Sequence, residues 1–155
     1  MIYDAKQIAN WFIRRSAADN RALSIMTLLK LVYVSHGWHL EIFKKPLFLN
    51  RIEAWKFGPV IPDVYNAFRG QGVNVRHEIP LLGITLETQD ANLLEEIYGI
   101  YGHMNAFKLS EITHEVDGPW DRATKLRGHF AQISDDVILE HYQGKRAKAN
   151  AAKVS

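Results

Sequence analysis

Apolar positions recur at steps of three and four along most of this chain, the spacing that places side chains on one face of an α-helix. The first such stripe is Ala5, Ile8, Ala9 and Phe12, with Trp11 beside it. Asp4 precedes the stripe as a residue able to cap a helix that runs to about Arg15. Asp19-Asn20-Arg21 is a polar break. A second run starts near Ser24 and sets Met26, Leu29, Tyr33, His36, Leu40 and Phe43 on one face, while Leu28, Leu31, Val32, Val34 and Trp38 cover much of the rest. A helix that is apolar nearly all round is buried on most sides, so this segment is expected to be the central helix. Gly37 inside it costs about 1 kcal/mol relative to alanine, and predicts either the close approach of another element or a helix end near Trp38.

Lys44-Lys45-Pro46 breaks the pattern, and Leu47 to Phe57 reads as short extended pieces in which Ile52, Ala54 and Phe57 alternate with polar neighbours. Gly58-Pro59 is a turn signal, and Pro62 suits the first turn of a third helix reaching about Arg69, with Val64, Tyr65 and Phe68 inward. Gly70-Gln71-Gly72 ends it. Val73 to Glu87 is turn-rich and predicts a short strand or hairpin. Further helices are expected from Asp90 to about Met104, from Leu109 to Glu115 and for a turn or two from Trp120 to Leu126. The last helix starts at Ser134-Asp135-Asp136, where carboxylates meet the positive end of the helix dipole, and buries Val137, Ile138, His141 and Tyr142. From Gly144 no large apolar residue follows until Val154, so the chain divides into a domain over 1–143 and a polar tail over 144–155 expected to be frayed or mobile. The fold class is therefore mainly α: one compact domain around a buried central helix, with a small β-hairpin or short extended pieces.

Composition narrows the function classes. The 155 residues fit one domain, and 47% hydrophobic content supports a substantial core. Nineteen Lys and Arg against seventeen Asp and Glu leave a net charge of +2, too little to draw nucleic acid by bulk attraction. The chain has no cysteine, which removes disulfides, thiolate metal ligands and a thiol nucleophile, and suits a reducing cytoplasm. The most apolar stretch, Leu23 to Phe43, is interrupted by Lys30, His36, His39 and Glu41, unlike a membrane span. No basic region followed by a long apolar run marks the first residues, so the expected location is cytoplasmic.

Candidate chemistry is sparse. His36 and His39 lie three apart on the central helix, a spacing that can bring two imidazoles to one metal, but no local motif supplies a third ligand. The alternative is a core histidine at His36 and a surface histidine at His39. His114, near Glu115 and Asp117, has the neighbours of a general base or of a structural corner before Trp120. A His-dependent metal hydrolase would draw on His36, His39, His103 or His114, yet no nucleophile elbow accompanies them. Gly70-Gln71-Gly72 and Gly99-Ile100-Tyr101-Gly102 lack the strand, helix and lysine of a phosphate loop. No cofactor motif is present. Trp55, Phe57, Tyr65 and Phe68 flank the Gly-Pro turn, either as core or as anchors for a protein partner, with Lys56 and Glu53 facing solvent. The basic tail offers salt-sensitive phosphate contacts or solubility alone.

Three blocks of residues resemble the Panacea domain family. The first is Leu28-Leu29-Lys30-Leu31-Val32-Tyr33 with His36-Gly37-Trp38-His39; the second is Pro46-Leu47-Phe48 with Glu53-Ala54-Trp55-Lys56-Phe57-Gly58-Pro59-Val60, then Val64-Tyr65 and Phe68; the third is Leu109-Ser110-Glu111-Ile112-Thr113-His114 with Pro119-Trp120. The resemblance covers about Asp4 to Tyr142. It implies a mainly helical, phage-associated or prophage-type antitoxin that binds a toxin protein rather than catalysing a reaction. It also implies, for at least one relative, a protease adaptor that delivers its toxin to a ClpXP-type protease. No catalytic set or metal site comes with it. On this reading Trp55, Lys56, Phe57, Tyr65 and Phe68 border the partner surface, and Lys30, Tyr33, His36, Gly37, Trp38, Gly58, Pro59, His114, Pro119 and Trp120 are structural. The competing reading is a nucleic-acid-binding regulator of its own operon.

Overall fold

A computed structural model describes residues 2–81 and 85–154. Helix α1 (Ala5–Ala18) starts at a capping box: the Asp4 carboxylate accepts from the Lys6 N–H at 2.9 Å, and the Gln7 side chain accepts from the Asp4 N–H at 2.9 Å. Its stripe of Ile8, Ala9, Phe12 and Ile13 is buried against α2 (Ile25–Phe43). The N–H of Thr27 donates to the Ser24 hydroxyl at 3.0 Å and caps α2. From Thr27 through Gly37 every α2 residue is buried, Lys30 and His36 included. The helix ends where Lys44 adopts a left-handed conformation (φ 56°) two residues before Pro46.

The other elements wrap this helix. Glu53–Trp55 (β2) and Gly58–Val60 (β3) form a hairpin over the two-residue loop Lys56-Phe57, with Trp55 opposite Gly58. Pro62–Phe68 (α3) follows with Pro62 in its first turn, then a single 3₁₀ turn over Arg69–Gln71. A second sheet pairs Leu23–Ser24 (β1) with Asn74–Val75 (β4), and holds the start of α2 against the segment after α3. Helices α4 (Thr88–Tyr101), α5 (Ala106–Thr113) and α6 (Pro119–Arg127) come next. Ala131–Gln132 (β5) then pairs antiparallel with β2, making the hairpin a three-stranded sheet of order β3-β2-β5. Helix α7 (Asp135–Val154) crosses α2 at Gly37, where an added Cβ would lie 2.3 Å from the Tyr142 ring. Gly37 is thus the point of close approach and not a helix end; the Trp38 ring meets Tyr142 edge-on at 4.9 Å, and its indole N–H donates to the Tyr101 hydroxyl.

The architecture is mainly α with small sheets. Several boundaries differ from the sequence pattern: α1 runs on to Ala18, α4 spans Thr88–Tyr101, and α5 and α7 shift for reasons their contacts show. Helix α5 begins three residues earlier than Leu109, because Asn105 accepts from the Lys108 N–H and caps it. Helix α7 continues through Gly144 to Val154, where Lys145 pairs with Glu115 and Arg146 with the buried Glu41 of α2. Those ion pairs give polar residues a reason to stay helical that apolar periodicity does not register. Part of the strand or hairpin expected over Val73 to Glu87 lies outside the described residues; the rest contributes β4. Among the described residues no helix is long and apolar enough to cross a membrane.

Candidate partner-binding site

The three sequence blocks meet around one lysine. Lys30, on the wholly buried side of α2, is 1% exposed. Its ammonium donates to the Phe57 carbonyl at 2.8 Å and approaches the Pro59 carbonyl at 3.5 Å. No carboxylate faces it among the described residues, and burial pushes its pKa down to about 7. Gly58 makes this contact possible: its φ is +120°, and a Cβ there would lie 2.3 Å from Lys30 Nζ and 3.2 Å from the His114 ring. His114 in turn packs edge-on against Trp120 at 4.0 Å, and the Trp120 indole N–H donates to the Trp55 carbonyl at 2.6 Å. Pro119, at the first position of α6, sets the angle at which Trp120 leaves the backbone. Lysine, glycine, histidine and tryptophan, far apart in sequence, therefore fix the two strands of one hairpin from beneath.

What that support presents outward is aromatic. Along β2, Ala54 points into the core, while Glu53 and Trp55 point out. The half-buried Trp55 ring meets Tyr65 of α3 at 5.1 Å and Phe130 at 5.6 Å, both edge-on, and its indole N–H donates to Glu53 at 2.9 Å. Phe57, at the hairpin tip, and Phe130, just before β5, are each 63% exposed. Phe130 holds a positive φ of 68°, a conformation that a bulky residue adopts only under restraint. Lys56 is exposed at the tip, its ammonium 5.5 Å from the Phe57 ring centre. The structure thus brings Trp55 against Tyr65, with Lys56 and Phe57 exposed at the adjoining hairpin tip. Phe68 is separated from them: it is fully buried in the core, at the end of the inward stripe of α3. Phe130 was missed by sequence reasoning, since the pairing of β5 with β2 is non-local and Gly128 signals only a break.

The histidines are drawn to separate partners. His36 Nε2 donates to Asp135 at 2.8 Å, its ring stacks on Phe48 at 4.2 Å, and its buried Nδ1 has no partner among the described residues. His39 is buried, not on the surface: its two nitrogens face the Lys45 carbonyl at 2.7 Å and Asp90 at 3.0 Å. His103 lies against Arg21. His114 Nδ1 faces the Ser110 carbonyl at 2.5 Å, so it donates there and is not free to take a proton from the Ser110 hydroxyl 3.1 Å away. Among the described residues no cluster of three or more His, Asp or Glu is placed to hold a metal ion. Tyr33 and Tyr142, deep beside α2, have phenols pushed up by burial.

A family model described as "Antitoxin SocA-like, Panacea domain" matches residues 28–121. The chain belongs to this family of SocA-like Panacea antitoxins. Among its relatives, Antitoxin SocA of Caulobacter vibrioides (strain NA1000 / CB15N) is 33% identical over 163 aligned positions, which cover 95% of this chain and 86% of the relative. No solved structure gives a significant match. The span of the Panacea match starts on α2 just before Lys30 and ends just after Trp120, so it encloses the whole lysine-centred support and leaves out Phe130, β5 and α7.

Proposed function

We propose that this protein is an antitoxin that neutralises a toxin encoded beside it by binding the toxin directly. Membership in the SocA-like family carries this reading. The geometry supports it: an aromatic hairpin face is held rigid from below by a buried lysine, which lowers the entropy lost on docking a partner. A binding role also agrees with the four candidate histidines, His36, His39, His103 and His114, each of which makes a structural contact. Regulation of its own operon is the second reading, but the charge of +2 offers no general attraction for DNA.

The test is growth. Each gene flanking this one is induced alone in bacteria and then with this protein, followed by a tagged pull-down. Arrest by one neighbour, relief on coexpression and recovery of a stable complex are the expected results. Relief accompanied by disappearance of the toxin, and dependent on a ClpXP-type protease, would replace simple sequestration with adaptor-driven degradation. No arrest by any neighbour would overturn the antitoxin reading.

A further inference from the structure

We propose that the outward face of the β2–β3–β5 sheet docks an acidic surface of the toxin. Trp55, Phe57, Tyr65 and Phe130 are its apolar centre, and Lys56 and Arg69 its charged edge. The inference rests on the antitoxin reading and adds where the partner sits and what chemistry it brings.

Three observations support it. First, exposed Phe57 and Phe130 and half-buried Trp55 and Tyr65 belong to the hairpin, the approach to its neighbouring strand and α3, whereas the other exposed apolar residues, such as Val73, Ile100, Phe107 and Leu126, stand singly on separate elements. Second, Phe130 is held at φ 68°, with its N–H donating to the Ala54 carbonyl at 2.7 Å and its ring edge-on to Trp55, yet that ring stays 63% exposed and open to a partner. Third, the charges at the edge are unbalanced. Lys56 follows Trp55 at the tip, and Arg69 lies one helical turn beyond Tyr65 on the same side of α3. Neither is paired with a carboxylate among the described residues. Of the acids nearby, Glu53 is paired with Arg51 at 2.7 Å and bonded by the Trp55 indole, while exposed Asp63 accepts from the neutral Asn50 side chain at 2.9 Å, so Lys56 and Arg69 still leave this edge net positive. Free cations around an aromatic centre fit a partner that supplies carboxylates to the rim and a pocket or ridge to the aromatics. A nucleic acid fits less well, because Trp55 meets Tyr65 and Phe130 edge-on at 70° and 68° and offers no flat platform for successive bases.

The experiment uses the full chain and the neighbouring gene product that arrests growth. Affinity of the purified pair is measured at low and high NaCl for the wild type, Phe130→Asn, Lys56→Glu/Arg69→Glu, and a control reversal of equal charge on other surfaces, Lys45→Glu/Arg76→Glu. Asparagine tolerates the backbone at 130, so Phe130→Asn keeps or raises the melting temperature while weakening the complex about 30-fold. The Lys56/Arg69 reversal weakens it about tenfold or more and removes much of its salt dependence, while the control pair changes little. Wild-type affinity in both surface variants, or equal loss in the control, overturns the proposal even if growth rescue stands. Loss of promoter-DNA binding in the surface variants with the protein complex intact would overturn it in favour of nucleic acid. No toxic neighbour removes the antitoxin reading and this surface with it.

Discussion

Two polar groups are buried on the same helix, and they solve the problem of burial in opposite ways. His39 sits in a closed circuit. Its ring nitrogens face the Lys45 carbonyl and Asp90, the second oxygen of Asp90 accepts from the Tyr3 hydroxyl at 2.7 Å, and that hydroxyl accepts from the Glu87 N–H at 2.9 Å. Both ring nitrogens therefore have a hydrogen-bond partner, and the two oxygens of Asp90 are shared between His39 and Tyr3. Burial and the neighbouring Asp90 push the Tyr3 phenol up to about 12. Lys30, about two and a half turns earlier on α2, has only carbonyls before it and no counter-charge among the described residues. The first arrangement locks the N-terminal segment, α2 and α4 together. The second tolerates an uncompensated amine in order to hold a loop whose tip is in solvent. Where a fold keeps an unbalanced buried group beneath an exposed surface, that surface is the place to look for function.

The largest effect expected from this contrast is at the closed circuit. Asp90→Ala leaves the His39 ring and the Tyr3 hydroxyl buried without a shared partner, and is expected to cost about 3–5 kcal/mol by urea unfolding. A cost below about 1 kcal/mol would show that the circuit is ornamental to the fold and that packing alone joins α2 to α4. At the lysine, Gly58→Ala is expected to cost about 1–3 kcal/mol, because φ is +120° and the new methyl meets Nζ. Its sharper signature is functional: the hairpin tip shifts, so toxin binding falls further than stability alone explains. Equal binding by a folded Gly58→Ala would detach the support from the surface it is argued to position.

Much of this was legible in the chain and some was not, for physical reasons. The capping box at Asp4, the cap at Ser24 and the all-apolar α2 follow from local chemistry, and the structure contains them. The crowding at Gly37 was legible as an alternative; only the position of Tyr142, 105 residues away, decides it. The burial of His39 was not legible, because Asp90 opens a distant helix and a lone histidine carries no mark of its partner. Lys30 shows a limit of a different kind. A lysine flanked by Leu29 and Leu31 in an otherwise apolar helix is the visible signal, but lysines usually extend their charge to water, and nothing local says that this one ends beneath Phe57 and Pro59. Of the aromatics at the turn, Phe68 goes to the core and Phe57 to the surface, although both are phenylalanines in apolar runs; the difference is that Phe68 ends the inward stripe of α3 and Phe57 occupies a two-residue loop.

The last effect is spread over pH and is the most specific to Lys30. In the folded chain its ammonium loses its proton at about 7, while the ordinary lysine value that applies on unfolding is 10.5. Between those values the unfolded chain holds a proton that the folded chain lacks, so stability rises with pH across this window. The slope approaches about 1.4 kcal/mol per pH unit, and below about 7 the contribution is flat at its lowest because both states are protonated. Above 10 the tyrosines act the other way: burial raises the phenols of Tyr3, Tyr33 and Tyr142, the unfolded chain ionises first, and stability falls. Urea unfolding of the wild type is therefore expected to show greatest stability near pH 9–10. Lys30→Met removes the ammonium and with it the rise above neutrality, while leaving the fall above 10 in place. If the wild-type and Lys30→Met curves run parallel from pH 7 to 9, Lys30 keeps its proton in the fold, and the two carbonyls of the hairpin are stronger acceptors than their distances of 2.8 and 3.5 Å imply.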